Sequence, residues 1–168
     1  MVVPHDVRIV ILMGVTGSGK TTIGRLLAKE CNWPFYEGDD FHPTANVEKM
    51  RRGMPLTDED RAPWLDALNH LIRDLIARVQ SAVVACSALK QAYRDRLAGN
   101  RDEVVFVYLR ADYPLARARL LSRKDHFMKV DLLASQFDTL EEPEGVLTVD
   151  IAEEPDVIVG RIREALQR

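Results

Sequence analysis

The sequence predicts an α/β fold with a mostly parallel sheet, on three observations. Apolar runs of strand length are continuous rather than alternating, which indicates strands buried on both faces. Between these runs, apolar residues recur three and four positions apart, which indicates helices. The chain has 168 residues, 46% of them hydrophobic, which suits one domain with a single core. Strands that alternate with helices need crossover connections, so we expect helices on both faces of the sheet.

Five strands are predicted, over residues 7–13, 34–37, 82–86, 104–109 and 146–151. Shorter helices are expected over 21–31, between 43 and 53, and over 90–97, 114–123, 131–137 and 157–166. The strongest helical pattern is an apolar stripe from Trp64 to Val79, which predicts a helix packed on the core. The sequence has no internal repeat, low-complexity segment or linker, so residues 1–168 are predicted to form one domain.

Charge and composition exclude several classes of protein. The formal net charge of −3 provides no overall basic field for nucleic acid. No apolar run approaches the ~20 residues that span a bilayer, and the N-terminus lacks a signal-peptide pattern. We therefore expect a cytoplasmic protein with no membrane partner. Cys31 and Cys86 fit no metal-ligand spacing, so buried free thiols are expected, with a disulfide or a catalytic cysteine as the alternative.

A phosphate-binding loop is indicated by Gly14-Val15-Thr16-Gly17-Ser18-Gly19-Lys20-Thr21, which matches G-x-x-x-x-G-K-[S/T] between a predicted strand and a predicted helix. Glycines let backbone N–H groups surround phosphate oxygens, and the helix N-terminus adds partial positive charge. In this motif Lys20 would reach the β- and γ-phosphates of a nucleotide, and the Thr21 hydroxyl would bind Mg²⁺. We also assign Thr22 to the nucleotide site. The alternative is a glycine-rich turn in which Thr21 or Thr22 caps the helix.

Missing motifs and the length of the chain exclude several classes of nucleotide-binding protein. A GTPase needs a D-x-x-G switch and an N-K-x-D base-reading motif, and neither is present. The chain is too short for a motor or an AAA-type ATPase. Small nucleotide and metabolite kinases remain.

Two carboxylates follow the second predicted strand, in Glu37-Gly38-Asp39-Asp40-Phe41-His42-Pro43. Alternate residues of an extended chain share a face, so Glu37 and Asp39 are expected to point the same way. One would hold Mg²⁺ through water while the other accepts the proton of an acceptor hydroxyl. The alternative is that Asp39 and Asp40 cap a helix or form a turn.

Several blocks of the sequence closely resemble the gluconokinase family. The blocks are Gly38-Asp39-x-x-His42-Pro43; Asn46-x-x-Lys49-Met50-x-x-Gly53-x-Pro55-Leu56-x-Asp58-x-Asp60-Arg61-x-Pro63-Trp64-Leu65; Ala85-Cys86-Ser87-Ala88-Leu89-Lys90-x-x-Tyr93-Arg94-Asp95; Arg119-x-x-x-Arg123-x-x-His126-Phe127; and Ser135-Gln136-x-x-x-Leu140-Glu141-x-Pro143. The resemblance spans almost the whole chain. It implies a P-loop kinase fold with a small lid, phosphorylation of D-gluconate on its 6-hydroxyl with ATP and Mg²⁺, a homodimer, and a product for the pentose phosphate route.

The resemblance also implies roles for residues around the acceptor. Asp39 would be the base for the acceptor hydroxyl, and His42 would lie beside the sugar acid. Arg61 would bind the acceptor's carboxylate, with an ion pair to Asp58 or Asp60 as the alternative. Ser87, Lys90 and Arg94 would face the same cleft, and the last two, four residues apart, are expected to share an anion-binding helix face. Glu37 departs from the family, in which this position is usually aspartate. The resemblance therefore does not extend to the water-mediated Mg²⁺ role of Glu37.

A basic stretch at Arg117, Arg119, Arg123, Lys124 and His126 is more often a solvated face than a functional one. By resemblance, Arg119 and Arg123 are the arginines of a lid at about 122–130, which would close over the triphosphate and stabilise the charge on the transferred group. Two alternatives to a gluconate kinase remain. One is a sister kinase such as shikimate kinase, although Ser87-Ala88 stands where a Gly-Gly pair would be expected. The other is a nucleotide-binding regulator without turnover.

Overall fold

A computed structural model of the chain describes residues 6–123 and 130–168. The strands are β1 (Ile9–Met13), β2 (Phe35–Glu37), β3 (Ala82–Ala85), β4 (Val104–Arg110) and β5 (Leu147–Asp150). They form one sheet in the order β2-β3-β1-β4-β5, and all four pairings are parallel. The predicted α/β fold with a five-stranded parallel sheet is confirmed.

The helices are α1 (Lys20–Cys31), α2 (Thr44–Arg51), α3 (Asp58–Ala77), α4 (Gln91–Ala98), α5 (Tyr113–Leu121), α6 (Asp131–Thr139) and α7 (Pro155–Leu166). A 3₁₀ helix, Gly38–Phe41, follows β2 directly. The long helix α3 begins at Asp58 because Thr57 caps it: the Thr57 side chain accepts the Asp60 N–H, and the Asp60 carboxylate accepts the Thr57 N–H.

Alternate residues of the central strand face two separate hydrophobic cores. Val10 and Leu12 pack in one core with residues of α1, α5 and α7. Ile9, Ile11 and Met13 pack in the other with residues of α3 and α4. All five are fully buried. A strand covered on both faces needs apolar residues at every position, which explains the continuous apolar run in the sequence.

One part of the predicted helical stripe is wrong. Val79 lies beyond the end of α3, with φ of 56° and 71% of its surface exposed. The backbone turns there because the N–H groups of Val79 and Gln80 bond to the carbonyls of Ile76 and Leu75. Spacing alone could not distinguish the last residue of the stripe from the first residue after it.

The sheet brings three loops to one edge. Because the strands are parallel, the segments after β1, β2 and β3 all leave from their carboxyl ends. β2 and β3 diverge little there: a Cβ on Gly38 would lie 2.2 Å from the carbonyl oxygen of Ala85, so only glycine fits.

Within the described residues, no helix is long and apolar enough to cross a membrane.

Candidate active site

The loop from Gly14 to Gly19 joins β1 to α1, as the motif predicts. Gly17 has φ of 79°, and a Cβ there would lie 2.4 Å from the carbonyl oxygen of Ala116, so the loop depends on glycine at this point. The Lys20 ammonium folds back over the loop and donates to the carbonyls of Gly14 and Val15, each at 2.9 Å. Burial lowers its pKa, while Asp39 and Glu37 oppose that shift.

A cleft of about 730 Å³, counted to its open mouth, lies beside this loop. It brings together residues from the loop, from the 3₁₀ segment after β2, from α3 and from α6. Its lining is Thr16, Gly17, Gly19, Lys20, Thr21, Glu37, Asp39, His42, Met50, Pro55, Leu56, Arg61, Trp64, Ser87, Leu89, Arg123, Leu132, Ser135 and Gln136. This mixture of polar and apolar walls suits a small ligand.

Asp39 lies in this cleft in a largely buried position. Burial raises its pKa to about 6, the charge of Lys20 opposes that shift, and the nearby Glu37 and Asp40 add to it. The sequence predicts that Glu37 and Asp39 point the same way because both belong to one extended segment. This reason is wrong. The strand ends at Glu37, and Asp39 belongs to the 3₁₀ helix. The two carboxylates nevertheless line the same cleft.

Glu37 is in direct contact with the phosphate loop. The Thr21 hydroxyl donates a hydrogen bond to the Glu37 carboxylate. Hydroxyl and carboxylate oxygens are ligands that suit Mg²⁺, which commonly takes one or two protein ligands besides phosphates and waters. This pair therefore fits the metal role that the sequence assigns to it.

His42 and Trp64 form an aromatic wall of the cleft. Their rings stack with centroids 4.2 Å apart and planes 15° from parallel. Nε2 of His42 lies 3.9 Å from Oδ1 of Asp39, and burial together with the charge of Arg61 lowers the His42 pKa to about 4. The ring is therefore neutral at pH 7.

Arg61 reaches the cleft from α3. Its guanidinium donates to the Leu56 carbonyl at 2.8 Å and to the Tyr93 hydroxyl at 3.1 Å, and it lies 5.4 Å from the centre of the Tyr93 ring. The alternative ion pair with Asp58 or Asp60 is not formed between these described residues, because Asp58 pairs with Lys90 and Asp60 with Lys49. The Arg61 side chain lines the cleft, and no carboxylate among residues 6–123 and 130–168 forms a salt bridge with it.

The shared anion-binding face predicted for Lys90 and Arg94 is wrong. Lys90 precedes α4 and pairs with Asp58 at 3.1 Å. Arg94 is buried, and its guanidinium donates to the carbonyls of Ala88, Leu89 and Glu141. Neither side chain lines the cleft, because the helix begins after Lys90 and turns Arg94 into the protein. Ser87, the third residue of this predicted group, does line it.

Arg119 and Arg123 lie on the other side of the phosphate loop. Arg119 donates to the Ile151 carbonyl at 2.8 Å, and its guanidinium packs over Gly19. Both arginines line a second cleft with Gly19, Thr22, Ile23, Ser122, Ile151, Glu153, Pro155 and Ile158, and Arg123 also reaches the first. Of the lid predicted at about 122–130, residues 124–129 lie outside the described residues, and Lys124 and His126 with them.

For three residues at the site, the sequence alone indicates no functional role. Gln136 accepts the Thr16 N–H of the phosphate loop at 2.7 Å. Asn46 is buried beside His42, and Trp64, interpreted only as core, also forms the cleft wall. Gln136 and Asn46 both fall in the blocks that carry the family resemblance, which was the available signal.

Comparison with known proteins agrees with the family resemblance of the sequence. The shikimate kinase family model matches residues 16–143. The thermoresistant gluconokinase of Escherichia coli is 40% identical over 98% of this chain and 96% of its own. A gluconokinase structure from Sinorhizobium meliloti is 39% identical with a TM-score of 0.81, over 96% of this chain and 97% of that one. An unliganded sugar kinase structure from a Janibacter species is 39% identical with a TM-score of 0.90, over 96% and 95%.

Proposed function

Because the chain belongs to the gluconokinases, within the shikimate kinase family, we propose that it catalyses ATP-dependent phosphorylation of D-gluconate on the 6-hydroxyl. The observation that carries the proposal is that Lys20 of the phosphate loop and Asp39, a carboxylate of raised pKa, line one cleft. Phosphoryl transfer needs a cation for the phosphates and a base for the acceptor at one place.

On the donor side, the loop and the start of α1 bind the phosphates. The first-turn N–H groups of a helix have no intrahelical acceptors, and the helix dipole favours an anion there. Lys20 exchanges its bonds to Gly14 and Val15 for phosphate oxygens. The second cleft receives the nucleoside: Ile151, Pro155 and Ile158 give it apolar walls, and a buried oxygen of Glu153, with no hydrogen-bond partner among the described residues, is available to a hydroxyl or amino group.

Thr21 and Glu37 would hold Mg²⁺, Glu37 through water. When bound, this ion neutralises charge on the β- and γ-phosphates. The contact between the Thr21 hydroxyl and the Glu37 carboxylate supports the assignment, because it keeps both oxygens at the edge of the loop before any ligand binds. Glutamate, one methylene longer than aspartate, is able to reach the hydroxyl directly from the end of β2.

Asp39 accepts the proton of the 6-hydroxyl. The hydroxyl oxygen then forms its bond to the γ-phosphorus while the bond from that phosphorus to the leaving oxygen of ADP breaks, and the proton stays on the Asp39 carboxylate. A carboxylate of pKa about 6 is ionised at pH 7 yet more basic than an ordinary aspartate, which suits a general base. Lys20, Arg119 and Arg123 stabilise the charge that develops on the transferred group.

Arg61 provides the positive charge that selects a sugar acid. Its guanidinium faces the cleft, anchored by the Leu56 carbonyl and the Tyr93 hydroxyl. His42 and Ser87 offer hydrogen bonds to the hydroxyls of the acceptor. Lys90 and Arg94 have structural roles in this proposal, since they bind Asp58 and backbone carbonyls respectively.

The wider setting follows from the resemblance. The homodimer, the cytoplasmic location and the place in the pentose phosphate route stay predictions. A shikimate kinase or a non-catalytic regulator is not favoured, because several relatives that match over most of the chain are gluconokinases.

The test is ADP release with a panel of sugar acids and neutral sugars, followed by NMR of the product to locate the new phosphate ester. We expect D-gluconate to exceed D-glucose in kcat/KM by more than ~10²-fold, because a neutral sugar in the cleft would take water from the Arg61 guanidinium without offering it an anion. Equal specificity constants for the two would refute the anion-binding role of Arg61. Transfer to shikimate but not to gluconate would refute the proposed substrate.

A further inference from the structure

The imidazole of His42 is held in one orientation. It stacks on Trp64, whose indole N–H donates to the Gly38 carbonyl at 2.8 Å, so the platform itself is fixed. Only 4% of the His42 side chain is exposed. The two ring nitrogens therefore face fixed neighbours: Nδ1 lies 3.3 Å from the side-chain nitrogen of Asn46, and Nε2 lies 3.9 Å from Oδ1 of Asp39.

The orientation of the Asn46 amide is also determined. Its side-chain nitrogen lies 2.8 Å from the backbone carbonyl oxygen of Asp60. A carbonyl oxygen accepts hydrogen bonds and cannot donate them, so the Asn46 atom facing it must be the NH₂ group. One hydrogen of that group goes to Asp60, and the second is directed at Nδ1 of His42. Nδ1 must then accept, which it can do only without a proton.

We infer that Asn46 sets the tautomer of His42, so that the neutral ring carries its proton on Nε2 and presents this N–H to a hydroxyl of the sugar acid beside Asp39. The lowered pKa of His42, about 4, agrees with a neutral ring at pH 7. Asn46 is a positioning residue here: it acts on the acceptor only through His42. The inference about the acceptor rests on the proposed function, whereas the tautomer does not.

The spacing of the two groups matches one hydroxyl. With Nε2 and Oδ1 3.9 Å apart, an oxygen atom can lie within hydrogen-bond distance of both. A hydroxyl accepts from Nε2–H through a lone pair and donates its own proton to the Asp39 carboxylate. The other tautomer would present a bare nitrogen next to a carboxylate, two acceptors that cannot both bind one O–H. The tautomer therefore decides whether Asp39 and His42 cooperate.

The tautomer can be measured directly in the full-length protein without ligands. Long-range ¹H–¹⁵N correlation spectra distinguish a protonated ring nitrogen from a bare one, and His42→Gln identifies the signals among the four histidines. We expect a bare Nδ1 and a protonated Nε2. The opposite pattern in the wild-type protein would overturn the inference. Asn46→Asp offers only acceptor oxygens to Nδ1, so a folded variant should move the proton to Nδ1; an unchanged pattern there would also count against Asn46 as the cause.

Kinetics test the use of that proton with a matched pair of variants. The amide of glutamine extends toward the position of Nε2, whereas the shorter amide of asparagine reaches only the position of Nδ1. We expect His42→Asn to raise KM for gluconate ~10-fold and His42→Gln to raise it less than ~3-fold, because only glutamine restores the donor. KM for ATP should be unchanged in both. Equal gluconate KM values for the two variants would contradict the donor role. Failure of the wild-type protein to phosphorylate gluconate would instead refute the proposed function and leave the NMR result standing.

Discussion

The hydroxyl of Thr21 donates a hydrogen bond to the carboxylate of Glu37, which links the first turn of α1 to the last residue of β2. The contact joins the phosphate loop to the strand that leads into Asp39. It also brings together the two side chains that we assign to Mg²⁺. Because Thr21 donates its proton, the lone pairs of its hydroxyl oxygen stay free for an ion, which Glu37 would hold through water.

Glu37→Gln should raise the Mg²⁺ concentration needed for half-maximal activity. The amide keeps the hydrogen bond to Thr21 but lacks the negative charge that attracts a divalent ion. Glu37→Asp is the control, since the charge is kept and aspartate is the usual residue in relatives. Titration of Mg²⁺ against rate measures both. If Glu37→Gln titrates like the wild type, Glu37 has no metal role.

Gln136→Met should raise KM for ATP ~5-fold, the effect of losing one hydrogen bond of about 1 kcal/mol. The side chain of Gln136 accepts the Thr16 N–H at 2.7 Å, so it holds the phosphate loop from α6. Methionine keeps the length and removes the acceptor. Ser135→Ala, on the same helix and in the same cleft, is the matched control and should leave KM unchanged. Equal KM values for the two variants would show that the bond does not shape the loop.

Val79→Gly should stabilise the protein by about 1 kcal/mol. Val79 is exposed and has φ of 56°, a region that β-branched residues adopt at a cost and glycine adopts freely. Val157→Gly is the control: this valine is also exposed but lies inside α7, where glycine should destabilise by roughly 0.5 kcal/mol. Thermal unfolding of the three proteins measures the effect. A lower Tm for Val79→Gly would mean that the strain is not relieved.

Asp39→Asn should make the protein more stable at pH 8 and no more stable near pH 4. The folded-state pKa of about 6 lies above the ordinary value, so the folded protein binds more protons between these values and loses stability as the pH rises through that window. We expect a difference of about 1–2 kcal/mol, since solvent reaches the 27% of the side chain that is exposed. Denaturant unfolding of both proteins at the two pH values measures it. A constant difference would show that burial does not raise the Asp39 pKa.

Much of the fold and of the site could be predicted from local patterns. The continuous apolar run of β1 predicts a buried strand, and the glycine loop after it predicts a phosphate site. Each pattern can be recognised because it depends only on residues that are neighbours in the sequence. The wrong predictions concern contacts between residues that are far apart in the sequence. Nothing near Lys90 in the sequence indicates that it pairs with Asp58, and nothing near Arg94 indicates that it binds the carbonyl of Glu141. Likewise, the 3₁₀ helix that carries Asp39 begins at Gly38, which lies against Ala85 of β3, a residue far away in the sequence.

The central claim is that Asp39 takes the proton of the acceptor hydroxyl beside the phosphate loop. The most direct measurement is the turnover of Asp39→Asn with gluconate, with ATP affinity determined on the same preparation. We predict a fall in kcat of roughly 10²–10⁴-fold, the usual contribution of a general base. The affinity for ATP should be retained, because Lys20 and the loop are untouched. A folded Asp39→Asn protein that phosphorylates gluconate at close to the wild-type rate would contradict the claim.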